Sequence, residues 1–121
     1  DASARRTTRS LIDYKATRRA KEYLESNLSE AVQSEELEKI TGLDRYALSR
    51  QFRRAFGTSP YRYLTMRRLD QARGDIAAGV PLIQAALRAG FSDQAHMTRQ
   101  FKAGFGISPG QWRRLVQRTN R

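Results

Sequence analysis

One eleven-residue stretch occurs twice in this chain, and that repetition limits the fold more than any other feature. Residues 50–60 read RQFRRAFGTSP and residues 99–109 read RQFKAGFGISP. Arg, Gln, Phe, Phe, Gly, Ser and Pro recur at an offset of 49. Upstream, Gly42-Leu43-Asp44 answers Gly90-Phe91-Ser92 at an offset of 48, so the second copy carries one extra residue in its turn. Seven identities in eleven positions are hard to attribute to chance. Whatever unit the first copy builds, the second builds again.

The pattern around each copy is helical. Ala16, Ala20, Tyr23, Leu24 and Leu28 fall on one stripe of a helix from Tyr14 to Leu28. Ser34 is placed to cap a short helix beginning Glu35-Glu36-Leu37, which Gly42 ends. Asp44 caps a second helix that runs to Phe56 and stops at Gly57. Ser59-Pro60 is a strong start signal, an N-cap followed by proline at the first helical position. The helix it starts reaches about Ala78, with Leu64, Leu69, Ala72 and Ile76 inward and Gly79 at its end. Pro81 opens a short helix that Gly90 closes, and Ser92 or Asp93 caps another through Phe105. Gly106 stops that one, and Ser108-Pro109 starts the last, which runs to about Gln117. The expected fold is all-α, with seven helices and no strand. They form two helix-turn-helix subdomains, each a short helix, a glycine-containing turn and a second helix, joined by a long central helix. The expected divisions are a flexible arm or linker remnant at 1–13, a first subdomain at 14–58, a connecting helix at 59–79 and a second subdomain at 80–121. A generic helical hairpin shares the outline of each subdomain. The start at Asp1 without an initiator Met suggests a segment of something longer.

Charge narrows the partners. The chain carries 23 Lys and Arg against 12 Asp and Glu, a formal net charge of +11, and only four of the basic residues are Lys. Residues 1–44 hold eight basic and nine acidic residues, whereas residues 45–121 hold fifteen and three. Solvated helix faces would scatter charge more evenly. A polyanion is the expected partner, nucleic acid or an anionic membrane surface. Arginine dominance favours bidentate recognition of phosphate or guanine. No stretch approaches the roughly 20 apolar residues of a spanning helix, and there is no secretory signal pattern. Cysteine is absent, which excludes disulfides and thiolate chemistry and fits a reducing, cytoplasmic setting.

The stretch from about Thr17 to Val116 resembles the DNA-binding domain of the AraC/XylS family of bacterial transcription regulators. The residues that carry the resemblance are Gly42, Leu48, Phe52, Phe56-Gly57 and Ser59-Pro60 in the first half. In the second they are Ala86, Gly90-Phe91-Ser92-Asp93-Gln94, Arg99, Phe101, Phe105-Gly106, Ser108-Pro109 and Trp112-Arg113. Glu38 departs from it, because the family usually has Ala there, and this bears on how closely the first short helix packs. Most members carry an N-terminal effector-binding or dimerisation domain, and one is expected N-terminal to this segment. The resemblance implies sequence-specific binding of double-stranded DNA, with recognition helices at about 45–56 and 93–105. A central helix of about 20 residues is roughly 30 Å long, close to the roughly 34 Å between successive major grooves on one face of B-DNA. One chain is therefore expected to contact two successive grooves, with a bend in the DNA or incomplete insertion at one site.

Helical spacing sorts the recognition residues. Leu48, Phe52 and Phe56 share one face of the first, leaving Tyr46, Ser49, Arg50 and Arg53 on or beside the other. Met97, Phe101 and Phe105 form the matching stripe in the second, leaving Gln94, Ala95, Thr98, Arg99 and Lys102 outward. The resemblance points base reading to Tyr46, Ser49 and Arg50 in one unit and to Gln94, Thr98 and Arg99 in the other. Arg can pair with guanine O6 and N7, Gln with adenine, while Ser and Thr are less selective. Candidates for phosphate are Arg45, Arg53, Arg54, Arg67, Arg68 and Lys102, with backbone N–H groups at the helix starts Ser59 and Ser108. The bland alternative for Arg50 and Arg99 is an intramolecular salt bridge or a phosphate contact, for Tyr46 packing on the helix surface, and for the phosphate candidates a solvated face. Tyr61 and Trp112 are expected to close the core.

Competing functions fit less well. The single histidine, His96, has only Asp93 nearby in sequence, so no metal site, cofactor or catalytic constellation is expected. A membrane-surface binder needs an exposed apolar face on a basic helix, and the apolar stripes here are accounted for as core. A non-specific architectural DNA-binding protein is the nearest alternative, and an adaptor for other proteins the next. RNA polymerase is a further candidate partner through surface residues such as Arg62 or Arg113, although nothing in the sequence selects them.

Overall fold

Aspartate caps and left-handed glycines bound several of the helices, where they satisfy or release backbone groups left unpaired at the ends. The computed structural model describes residues 12–119, and within them seven helices and no strand. They are α1 (Tyr14–Ser26), α2 (Ser34–Thr41), α3 (Arg45–Phe56), α4 (Pro60–Ala77), α5 (Leu82–Ala89), α6 (Gln94–Phe105) and α7 (Pro109–Thr119). The all-α expectation holds. Most of the expected arm, residues 1–11, lies outside the described residues. Asp13 is held by the first unit: its carboxylate accepts from Ala16 N–H at 2.9 Å and its own N–H donates to Gln51 Oε1 at 2.8 Å.

The repeat is visible helix by helix. α2 and α5 are each eight residues long, α3 and α6 each twelve. The turn is Gly42–Asp44 in the first copy and Gly90–Asp93 in the second, which is where the extra residue sits. Gly42 and Gly90 both adopt left-handed backbone, at φ 73° and 98°, and so let the chain leave the short helix. At Gly90 space is as tight as conformation: a Cβ there would lie 2.1 Å from the Leu28 carbonyl oxygen.

At two helix ends the difference from the sequence expectation has a physical reason. α2 is entered from Gln33 rather than Ser34, with Glu36 reaching back to the Gln33 N–H at 3.3 Å. The reciprocal arrangement suits a residue three positions before a glutamate, and Gln33, not Ser34, holds that place. α1 stops at Ser26, two residues short of Leu28, whose carbonyl becomes an acceptor for Arg68.

Among the described residues the chain divides into two compact units, residues 12–24 with 32–60, and residues 25–31 with 61–119. In the first, Ala16, Ala20, Leu24, Val32, Leu37, Leu48 and Phe52 are buried, and α2 packs on α3. In the second, Leu69, Ala72 and Ile76 of α4 meet Ala85, Ala86 and Ala89 of α5, and Phe91, Met97 and Phe101 complete the cluster. The central helix is thus also a core helix of the second unit. Phe52 and Phe101, the repeat's own phenylalanines, are fully buried, each contributing about 1.5–3 kcal/mol of apolar transfer. The segment 25–31 belongs with the second unit because Arg68 donates to the carbonyls of Leu28 and Glu30, at 2.7 and 2.9 Å. The Tyr63 hydroxyl also donates to the Glu25 carboxylate.

The aromatic expectations divide. Trp112 packs on the second core and donates its indole N–H to the Arg73 carbonyl at 3.1 Å. Tyr61 does not close the core: it is 43% exposed, because Leu64, not Tyr61, takes the buried position near the start of α4. Phe105 packs against the core beneath the Arg73 guanidinium, whereas its repeat counterpart Phe56 is exposed at the end of α3, edge-on to Phe52.

Candidate nucleic-acid interface

Two surfaces in the protein share one construction, the polar faces of α3 and α6. Asp44 starts α3 by accepting the N–H groups of Tyr46 and Ala47, both at 2.9 Å. Asp93 starts α6 through the N–H of His96 at 2.7 Å. Gly57 and Gly106, left-handed at φ 80° and 79°, end them. Burying Leu48 and Phe52 in one, Met97 and Phe101 in the other, forces the remaining positions outward.

On α3, Tyr46 is 74% exposed, Arg50 and Arg53 are exposed, and Ser49 is half-buried between them. Spacings of three and four residues place Tyr46, Ser49, Arg50 and Arg53 along one face. Arg50, Arg53 and Arg54 line a shallow recess of about 370 Å³ with Gln51. On α6, Gln94, Arg99 and Lys102 are exposed and Thr98 is half-buried. Each recognition face therefore offers amide, hydroxyl or guanidinium groups over a tyrosine-sized to arginine-sized reach, without a carboxylate on it. Such faces can donate to base edges and phosphates alike.

The remaining phosphate candidates are placed less freely. Arg45 is held by two carboxylates, Nη2 lying 3.4 Å from Glu35 and 3.5 Å from Glu38. Hydrogen bonding to Glu38 raises the Arg45 pKa, and the Glu35 pKa is lowered chiefly by a backbone hydrogen bond, with burial opposing and Arg45 adding to the lowering. Arg67 pairs with Asp70 at 3.6 Å on the exposed face of α4. Arg68 points the other way and is bound to backbone carbonyls of its own unit, where burial lowers its pKa. Its side chain is a strut rather than an open cation. Ser59 is half-buried at the start of α4. Ser108 is committed to its own helix: its hydroxyl accepts Gln111 N–H at 3.1 Å and its N–H donates to Gln111 Oε1 at 2.8 Å.

Sequence reasoning missed the Glu38–Arg45 pair and the Arg68 strut. The substitution at Glu38 was a usable signal for the first, since a carboxylate in place of a small residue needs a partner. Nothing in the sequence signalled the second. His96 lies in the first turn of α6, its Nδ1 3.2 Å from Ser92 Oγ and its ring edge-on to Phe91. Among the described residues no three His, Cys, Asp or Glu side chains converge as a metal site would require, and no helix is long and apolar enough to cross a membrane.

Known proteins share this architecture. Residues 37–115 match the family described as "Helix-turn-helix domain". The HTH-type transcriptional regulator YbfI of Bacillus subtilis is 40% identical over 76 residues, 63% of this chain and 28% of that protein. The HTH-type transcriptional activator RhaS of Yersinia pestis is 37% identical over 89 residues, 73% of this chain and 33% of that protein. The chain thus spans about a third or less of these curated relatives. The crystal structure of a probable AraC family transcriptional regulator from Rhodopseudomonas palustris CGA009 superposes with a TM-score of 0.74 at 28% identity, over 84% of this chain and 97% of that one.

Proposed function

The chain belongs to the AraC/XylS-type helix-turn-helix family of DNA-binding transcription regulators, and from that premise we propose that α3 and α6 read two segments of one double-stranded operator. The observation that supports it is the duplication of one surface. Both recognition helices start at an aspartate cap, bury two large apolar residues and turn a carboxylate-free polar face outward. Arg50 and Arg99 stand at the same place in the two copies and are exposed in both.

In this reading Arg50 and Arg99 take guanine, Gln94 takes adenine, and Ser49, Thr98 and Tyr46 refine the choice of base. Arg53, Arg54 and Lys102 hold phosphates and set register, with Arg67 reaching a phosphate only by releasing Asp70. α4, at 18 residues about 27 Å long, supports two successive major grooves as the target. Effector-binding or dimerisation domains N-terminal to this segment, contact with RNA polymerase, a cytoplasmic location and the absence of catalysis belong to the same proposal.

Selection from a randomised duplex pool, at near-physiological salt with excess competitor, tests it. An asymmetric motif with two informative blocks about one helical turn apart is the expected result. Retention of DNA without any motif overturns specific reading and leaves an architectural binder.

A further inference from the structure

The two recognition units differ at one charged pair. α2 and α5 correspond residue for residue, as do α3 and α6, so Glu38 and Arg45 of the first unit stand where Ala86 and Gln94 stand in the second. The second unit joins its two helices, through a turn one residue longer, with neither charge, Ala86 being fully buried. The fold does not require the pair.

In the first unit the Glu38 carboxylate does two things at once. One oxygen accepts the backbone N–H of Arg45, the first residue of the recognition helix, at 2.9 Å. The other lies 3.5 Å from the Arg45 guanidinium, which Glu35 also approaches at 3.4 Å. With Asp44 accepting the next two amides, the first three N–H groups of α3 all end on carboxylates. A phosphate approaching this end of α3 meets negative charge and an arginine already neutralised.

We propose that Glu38 is an affinity-setting residue of the first unit, withholding Arg45 from the DNA backbone so that this unit depends on base contacts more than the second does. The proposal rests on the DNA-binding reading above and adds a regulation of its first half. Its chemistry is simple competition: a phosphate gains Arg45 only when the carboxylate is removed, neutralised or displaced.

The test is a double-mutant cycle on the 121-residue chain with a mixed-sequence duplex of about 30 base pairs, read as affinity against salt. Glu38→Gln keeps an acceptor for the Arg45 N–H and loses the charge. It should bind about three- to tenfold tighter at low salt, with a log–log salt slope steeper by about one, the signature of one added phosphate contact. In an Arg45→Ala chain the same substitution should give no gain. A gain that survives Arg45→Ala, or an unchanged slope in Glu38→Gln, overturns the proposal. Thermal melting of each variant accompanies the titrations, because a purely structural role moves the midpoint and leaves the slope alone. That outcome also overturns it. Failure of every chain to retain DNA overturns the underlying reading instead.

Discussion

Arg68 and Gly90 converge on a single oxygen, the carbonyl of Leu28. The guanidinium donates Nε–H to it at 2.7 Å, and a Cβ at Gly90 would sit 2.1 Å from it and 2.8 Å from the same Nε. The left-handed backbone at Gly90, φ 98°, brings the turn of the second unit against segment 25–31 with no room for a side chain. Gly90→Ala should therefore cost about 3 kcal/mol or more in urea unfolding, from displaced backbone added to conformational strain. Gly106→Ala, at φ 79° with nothing within 4 Å, carries only the strain and should cost about 1 kcal/mol. Equal costs at the two glycines would sink the steric argument.

Arg68→Ala leaves the Leu28 and Glu30 carbonyls without their donor, with an expected loss of about 1–3 kcal/mol. Arg68→Lys recovers little, since one ammonium does not reproduce the fork that reaches both oxygens. If lysine restores full stability, the bridge is not what holds the segment. Because the side chain faces its own unit, the salt dependence of DNA binding should be nearly the same in both variants as in the parent.

Tyr63 makes stability fall in alkali. Burial, reinforced by its hydrogen bond to Glu25, pushes the phenol from its ordinary value near 10 up to about 12. The folded state thus holds the proton more tightly than the unfolded one. This contribution is complete below pH 10 and is lost as pH rises through 12. Tyr63 is half-buried and still partly open to solvent, so the loss is on the order of 1 kcal/mol after screening. Tyr63→Phe starts less stable and should show a flatter decline of melting temperature between pH 10 and 12. Parallel declines in the two proteins would exclude the phenol as the cause.

What could be read from the sequence was whatever the sequence encodes locally. Asp44, Gly57 and Gly106 bound their helices because caps and left-handed exits involve residues within four positions of one another. Phe52 and Phe101 were legible as core from spacing alone. Phe56 and Phe105 were not separable, since the same spacing leaves the first exposed, with the Lys21 ammonium over its ring, and packs the second against the core beneath Arg73. The hydrogen bonds of Arg68 were illegible for a different reason. Its acceptors are backbone carbonyls about 40 residues away, and any residue type presents such a carbonyl. Arg45 lay between these cases. Its partner Glu38 is seven residues upstream but across a turn, where helical spacing rules do not apply.

The two aspartate caps should be unequal. Asp44 satisfies two amides of α3, Asp93 only one of α6. Asp44→Ala should cost about 1–2 kcal/mol and Asp93→Ala about 1 kcal/mol or less, with Asn recovering most of either loss. Urea midpoints of the four variants check this, and the reverse order would mean that the capping bonds do not set the cost.

The recognition faces separate base contacts from phosphate contacts by the kind of defect each substitution produces. A base contact acts on one position of the operator, so Arg50→Ala and Arg99→Ala should each cost about 1–3 kcal/mol on the selected duplex and relax different blocks of the motif. A phosphate contact acts on every sequence alike. Arg53→Ala and Lys102→Ala should therefore weaken selected and scrambled duplexes by similar factors and make the salt slope shallower by about one each. Arg53 stands three residues beyond Arg50 on α3, and Lys102 three beyond Arg99 on α6, so the comparison is internally matched in both units. Titration of the four variants against both duplexes at several salt concentrations decides it. If Arg50→Ala lowers affinity for the scrambled duplex as much as for the selected one, Arg50 is a backbone contact and base reading by α3 shifts to Tyr46 and Ser49.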